Sequence, residues 1–338
     1  MWRSYPSCRK ELPWLLKALC MNIMYTMGPL NTSNKLRTAD RRPDLFIVGA
    51  PKCGTTALFN YLGDHPDIYM STLKEPQYFA EDIFGPQRNV TNLDEYLRCF
   101  GAARNQRCLG EGSTCYLASP SAAQKIQAFS PHARIIIMLR DPLEVMHAEH
   151  NQRVLNDMEQ ILDFARALES RDARVWGSGP FQGQAVIRPS YREITQFATQ
   201  TKRYFEVFGR DKVLVIIYED FKANPAEVYA GALRFLDLPA HPRSDFPVAN
   251  ESRRVRSTAL RRFVRYSPSG VRRIARLLLP PNARRAIYER LHKVAIVPAP
   301  RPRLDPELRR RLQRECAPEI HRLSALLHRD LSAWCVTG

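Results

Sequence analysis

The stretch Asp44-Leu-Phe-Ile-Val-Gly-Ala-Pro-Lys-Cys-Gly-Thr-Thr-Ala-Leu58 constrains this chain more than any other. Leu45 to Val48 is a short apolar run with β-branched members, suited to a buried strand. Gly49-Ala50-Pro51 breaks it, and Gly54-Thr55-Thr56 opens Ala57 to Leu62, whose apolar residues have helical spacing. A strand, a tight glycine-bearing loop and a helix start aim free backbone N–H groups at one point, with the helix dipole behind them. Such a turn is an anion site. A nucleoside triphosphate loop follows G-x-x-x-x-G-K-[ST], with Lys directly after the second Gly. Gly49 and Gly54 keep that spacing, but Thr55 stands where the Lys belongs and Lys52 sits inside the loop. The cradle is kept and its cation is moved. A degenerate nucleotide-kinase loop is the rival reading, and a glycine turn with a solvated lysine is the bland one.

Charge narrows the partners. The 338-residue chain carries a formal net charge of +17, and Glu251 to Arg314 alone holds 19 Lys/Arg against four Asp/Glu. A surplus this local points to polyanions: a bisphosphate nucleotide, an acidic glycan, nucleic acid or anionic lipid. An arginine-rich solvated helix face is the alternative. No nucleic-acid recognition motif accompanies the charge, so a specific nucleic-acid partner is not expected. The eight cysteines are scattered without a C-x-x-C pair, which indicates neither a zinc site nor a dense disulfide framework. Cys99 and Cys108 could close a small loop in an oxidising compartment, and reduced thiols are the expectation. No metal ligand set is evident.

The remaining chain alternates strands and helices. Ile68-Tyr69-Met70, an edge at Cys108 to Ser113, Arg134 to Leu139 and Lys212 to Tyr218 read as further strands. Pro120 to Phe129 and Tyr191 to Phe208 read as helices. Strands separated by helices imply right-handed crossovers and a parallel sheet of about five strands, covered by helices on both faces. Ligands on such sheets bind at the carboxyl ends of the strands, here marked by Lys52, Glu75, Glu111 and Arg140.

Three regions are expected: an N-terminal helix and basic linker (1–42), an α/β domain (43–260) and a basic helical extension packing on it (261–338). The apolar run Trp14 to Met27 lies between Pro13 and Gly28-Pro29, which leaves 14 residues, short for a bilayer span. It reads as an amphipathic or interfacial helix. Asp305 with Pro306 starts the last helix, expected to kink or break at Pro318.

Pro51-Lys-Cys-Gly-Thr-Thr56 after an apolar strand resembles the 5′-phosphosulfate loop of sulfotransferases that use 3′-phosphoadenylyl sulfate (PAPS). Lys74-Glu-Pro-Gln-Tyr-Phe79 is similar to a segment of bacterial and carbohydrate sulfotransferases, and Arg140-Asp-Pro-Leu-Glu resembles the family's 3′-phosphate segment. Gly110-Glu-Gly-Ser113, Tyr218-Glu-Asp-Phe221, Asn250-Glu-Ser252 with Arg256-Ser257, and Asp330 to Trp334 are similar too, so residues 43 to 260 are covered best.

The resemblance implies a P-loop-NTPase-like α/β fold and sulfuryl transfer from PAPS, with adenosine 3′,5′-bisphosphate as product and no metal. It implies an acceptor hydroxyl on a carbohydrate or glycolipid. The backbone of Cys53, Gly54, Thr55 and Thr56, with the threonine hydroxyls, would hold the 5′-phosphosulfate, and Lys52 would neutralise charge on the bridging oxygen. Glu75 stands where the related carbohydrate enzymes place a catalytic Glu; a surface pair with Lys74 is the plain alternative. His65, in a His-Pro-Asp turn, and His147 are substitute bases. Glu111 orients a neighbour or the acceptor, or serves structure alone.

Arg140 suits the 3′-phosphate, against an ion pair with Asp141 or Glu144. The family's Ser eight positions later is replaced by Ala148, and Val145 takes a position often basic in relatives. His147, His150, Arg254 or Arg256 are possible compensations. Tyr191 stacks on adenine, lines the acceptor cleft, or is a core aromatic. Val271 to Leu279 is an amphipathic cationic stretch that fits an anionic glycan or a membrane surface. The expected location is cytoplasmic, with peripheral membrane contact as the variant. A catalytically silent polyanion-binding protein on the same fold is the main alternative to the enzyme.

Overall fold

The computed structural model describes residues 41–156, 158–170, 175–176, 186–187, 189–247, 253–255, 296–298 and 304–335. The N-terminal run 1–40, Val271 to Leu279 and Arg256 lie outside the described residues.

The apolar runs form strands where the sequence expects them: β1 (Leu45–Gly49), β2 (Ile68–Met70), β3 (Cys108–Gly112), β4 (Arg134–Leu139) and β5 (Val213–Ile217). They make one sheet in the order β2-β3-β1-β4-β5, parallel at every pairing. Ile47 of β1 lies opposite Gly112 of β3 on one side and Ile136 of β4 on the other. Every residue of β1 is buried, as both faces of an interior parallel strand must be.

Helices link the strands: α1 (Thr55–Gly63) leaves β1, α2 (Leu93–Arg98) precedes β3, and α3 (Ala122–Phe129) joins β3 to β4. Next come α4 (Pro142–Leu155), α5 (Phe164–Glu169), α6 (Phe197–Phe208), α7 (Tyr218–Ala223), α8 (Pro225–Phe235) and α9 (Pro306–Leu327). The chain runs from β1 toward the β2 edge, and from β3 through β4 toward the β5 edge. Crossovers of one hand that travel in opposite directions place their helices on opposite faces. The reversal falls between β1 and β4, whose carboxyl ends therefore open on a crevice.

A main core surrounds the sheet, with Phe46, Ile47, Leu58, Ile136 and Leu139 wholly buried. Each such side chain contributes up to about 1.5–3 kcal/mol. A smaller cluster under α4 joins Leu143, Met146, Phe164, Leu168, Tyr191 and Leu312.

Four details differ from expectation. The stretch read as a strand edge, Cys108 to Ser113, is an interior strand, because its glycines admit close neighbours. A Cβ on Gly110 would come within 2.4 Å of Met70 Sδ, and one on Gly112 within 3.0 Å of the Phe59 ring. The helix read from Tyr191 begins only at Phe197, after a short 3₁₀ turn, and Gln200 Nε2 donates to the Glu193 carbonyl at 2.7 Å across the break. Tyr218 starts α7 rather than ending β5. Finally, α9 runs unbroken through Pro318, with Ile320 and Leu323 buried in the main core and Leu312 in the smaller cluster. Packing of that apolar face offsets the hydrogen bond the proline removes. Its start matches the reading: the Asp305 carboxylate accepts from the amides of Glu307 and Leu308, both at 3.0 Å.

Candidate functional site

The β1–α1 loop turns as its sequence requires. Gly54 takes φ +86° as the residue capping α1, a conformation L side chains resist, and no side chain caps the helix. The Gly54 carbonyl accepts from Ala57 and Leu58 at 3.0 and 3.2 Å. Among the described residues, the amides of Cys53, Gly54, Thr55 and Thr56 have no acceptor, so the helix start presents N–H groups to a bound anion. Cys53 is wholly buried, and its thiol donates to the Pro51 carbonyl at 3.4 Å. Burial pushes that thiol far above its ordinary range despite the opposing charges of Arg140 and Lys52. It serves as a small loop residue, not a nucleophile. Lys52, with φ +65°, donates from Nζ to Gln152 Oε1 on α4 at 3.2 Å.

At the end of β4 the Arg140 guanidinium lies 4.6 Å from the centre of the Tyr218 ring. A Cβ on Gly54 would touch that same ring at 3.2 Å. Tyr218 is therefore the wall between the loop and Arg140, a role the sequence reading missed although it noted the Tyr-Glu-Asp-Phe segment. Arg140 also donates to Glu144 Oε2 at 3.2 Å, and Arg309 from α9 donates to Glu144 Oε1 at 3.3 Å. The ion-pair reading of Arg140 is thus present, yet the group remains at the crevice on an aromatic face. Asp141 caps α4 by accepting from the Leu143 amide at 2.8 Å. Burial first, then Glu144 and Glu219, push its carboxyl up to about 6. Ala148 and Val145 are both buried.

Glu75 follows β2, and its carboxylate is clamped by Thr114, the second residue after β3. Oε2 accepts from the Thr114 amide at 2.9 Å, and Oε1 accepts from Thr114 Oγ1 at 3.0 Å and from Lys74 Nζ at 2.9 Å. The Lys74 pair is therefore part of a wider clamp and not a surface pair: the two side chains are 9% and 24% exposed. A carboxylate has about four acceptor positions. Three are filled, which leaves one for an incoming proton. Thr114 is the functional candidate the sequence reading missed; the available signal was a hydroxyl residue beside Gly-Glu-Gly-Ser at a strand end.

Glu111 is fully buried inside β3, and burial pushes its carboxyl up to about 7 against the hydroxyls of Tyr96, Ser113 and Tyr116 that bond it. His65 is a turn residue: its Nδ1 accepts from the Asp67 amide at 3.1 Å, and Nε2 lies 3.1 Å from the Pro239 carbonyl. His147 packs its ring on Phe164. Tyr191 is 2% exposed, its hydroxyl donates to Glu159 at 3.1 Å, and Arg153 covers its ring at 4.6 Å. That is the core-aromatic reading; a ring enclosed this way does not line a cleft. Arg256 lies outside the described residues. The described cysteines, Cys99 and Cys108 included, are free thiols, and no cluster able to hold a metal occurs among the described residues.

The carboxyl ends of all five strands thus furnish the crevice: Lys52 after β1, Glu75 after β2, Thr114 after β3, Arg140 after β4 and Tyr218 after β5. The loop after β1 presents open amides, and the clamped Glu75 carboxylate follows the edge strand β2. A group bearing phosphate or phosphosulfate fits the loop, since the amides of Cys53 to Thr56 have no acceptor among the described residues.

Known proteins share this plan. A solved sulfotransferase from Alicyclobacillus acidocaldarius is 30% identical and superposes with a TM-score of 0.64, over 87% of this chain and 99% of that one. Bifunctional heparan sulfate N-deacetylase/N-sulfotransferase 1 of Caenorhabditis briggsae is 25% identical over 201 residues, 59% of this chain and 23% of that protein. Carbohydrate sulfotransferase 15 of Homo sapiens is 24% identical over 247 residues, 58% of this chain and 44% of that protein. The chain spans less than half the length of these two curated relatives. The family model described as "Sulfotransferase family" matches residues 43–242, more than half of the sequence, and the chain belongs to that family.

Proposed function

We propose that this protein transfers a sulfuryl group from PAPS to a hydroxyl on a carbohydrate or glycolipid. Family membership implies PAPS as co-substrate. The observation that carries the reading further is the clamped Glu75 carboxylate, held by Thr114 on the same sheet edge as the Lys52 loop. The loop amides and threonine hydroxyls hold the phosphosulfate, and Arg140 takes the 3′-phosphate. The acceptor oxygen forms its bond to sulfur while the bond from sulfur to the phosphate oxygen breaks. Glu75 takes the acceptor proton, Lys52 neutralises the departing oxygen, and adenosine 3′,5′-bisphosphate is released. The carbohydrate acceptor rests on the names of the curated relatives and on the Lys74-Glu-Pro segment.

One observation favours a second reading. Arg140 is already paired with Glu144, and Ala148 supplies no hydroxyl, which suits a polyanion-binding protein without catalysis.

Calorimetry with adenosine 3′,5′-bisphosphate, against ATP–Mg²⁺ and adenosine 5′-phosphate, separates the two, followed by transfer of labelled sulfate from PAPS to desulfated glycans. Selective bisphosphate binding should weaken about 10–100-fold in Lys52→Ala and in Arg140→Ala, the loss of one charged hydrogen bond. Glu75→Gln should keep binding and lose transfer. Equal affinity for ATP, or transfer that survives Glu75→Gln, overturns the proposal.

A further inference from the structure

We propose that Glu111 is a positioning residue for Glu75, acting through two hydrogen-bond relays into the loop that carries it; this rests on the catalytic role proposed for Glu75. Glu111 touches neither the loop nor the crevice. Its carboxylate accepts from Tyr96 Oη at 2.8 Å and Tyr116 Oη at 3.0 Å on Oε1, and from Ser113 Oγ at 2.8 Å on Oε2. Two of those hydroxyls pass the polarity on. Ser113 Oγ accepts from the Gln77 amide at 3.0 Å, and Tyr116 Oη accepts from the Phe79 amide at 3.3 Å.

A hydroxyl has one proton. Once that proton is donated in a hydrogen bond to Glu111, the lone pairs of Ser113 and Tyr116 are turned toward the two amides. The buried carboxylate thereby sets the direction of both relays.

The loop needs such a hold. Glu75 and Gln77 both sit at positive φ, +62° and +61°, an arrangement costing about 1–2 kcal/mol for each non-glycine residue. The Glu75 amide donates to the Gly112 carbonyl at 2.9 Å, and Asn89 Nδ2 donates to the Glu75 carbonyl at 2.7 Å. Those bonds fix the Glu75 backbone from either side. The relays fix the segment directly after it, so that the side chain meets Thr114.

Packing alone does not account for Glu111. Among the described residues no lysine or arginine pairs with it, and its three bonds all come from neutral hydroxyls. Burial holds its carboxyl up at about 7, so keeping it there costs free energy at neutral pH that an apolar side chain or an amide of similar size would avoid.

The test uses the full chain and two variants, Glu111→Gln and Ser113→Ala. Glu111→Gln keeps an acceptor for the tyrosines but replaces the Ser113 acceptor with a donor. Ser113→Ala removes one relay while leaving the Glu111 carboxyl and its two tyrosine bonds in place, and it decides the matter alone should Glu111→Gln not fold. Hydrogen exchange should speed up at the peptide covering residues 75–79 in both variants. In sulfate transfer from PAPS, kcat should fall on the order of 10–100-fold, the cost of a small misplacement of a catalytic group. Affinity for adenosine 3′,5′-bisphosphate should stay unchanged, and adding either substitution to Glu75→Gln should slow transfer no further. Unchanged exchange at 75–79, an additive loss on Glu75→Gln, or nucleotide affinity falling along with kcat overturns the inference. A wild type that transfers no sulfate sinks the proposed function instead, and the exchange data still decide whether Glu111 holds the loop.

Discussion

Glu144→Gln should make the protein bind adenosine 3′,5′-bisphosphate more tightly. Glu144 accepts from Arg140 at 3.2 Å and from Arg309 at 3.3 Å, so one carboxylate draws on two cations beside the crevice. An incoming phosphate must share Arg140 with it. The pairs are partly open to water, with Arg140, Arg309 and Glu144 at 18%, 30% and 29% exposure. Each pair is therefore worth only about 0.2–1 kcal/mol. Releasing both gives about 0.4–2 kcal/mol, which is roughly a twofold to thirtyfold fall in Kd with about fivefold as the central value. Glutamine keeps a hydrogen-bond acceptor near Arg140, so the change is mainly one of charge. Titration calorimetry at about 50 mM and about 500 mM salt reads it, and the gain should shrink at the higher salt as the Debye length contracts. Weaker binding in Glu144→Gln at both salt concentrations would refute the reasoning. Glu144 would then be the group that holds Arg140 in its binding geometry, not a competitor for it.

Two other changes probe the same crevice. Asp141 is held up to about 6 in the fold against 3.8 for the free side chain, so the folded state retains its proton at higher pH and this group's stability contribution declines as pH rises between those values. Asp141→Asn keeps the cap on α4 and should raise denaturant stability by up to about 3 kcal/mol at pH 8 and by about a third of that at pH 4.5; a gain independent of pH, or a loss at pH 8, contradicts the burial argument. Gly54→Ala combines positive φ with a Cβ 3.2 Å from the Tyr218 ring and 3.3 Å from Phe221, which should cost about 1–3 kcal/mol and weaken bisphosphate binding as Tyr218 shifts beneath Arg140; wild-type values for both sink the assigned wall.

Much of this protein can be read without its fold. Four of the five strands announce themselves as short apolar runs with β-branched members, and the β1–α1 loop as a glycine-bracketed turn with a cation inside, because both signals are local in sequence. Glu75 and Arg140 are legible for the same reason: Arg140 stands directly after β4 and Glu75 in the turn that follows β2, where α/β sheets place their ligands. Periodicity misplaced the start of the helix at 191–208, because the Gln200 side chain bonds across residues that keep helical spacing without helical hydrogen bonds.

Other features depend on pairings between distant segments. Strand order is one: β3 enters between β2 and β1, although 59 residues separate Gly49 from Cys108 in numbering. The close packing that glycines 110 and 112 allow is visible only once Met70 and Phe59 lie against them. The clamp of Thr114 on Glu75 spans 39 residues, and the bond of Lys52 to Gln152 spans 100. Tyr191 was assigned to the core only when Phe164, Arg153 and Glu159 closed around it. The sequence determined which residues carry the charge, the candidate carboxylate and the turn, since residue type and local spacing suffice for those. The tertiary structure decided which of them meet and which are enclosed, since register and burial are settled by contacts between segments that no local pattern records.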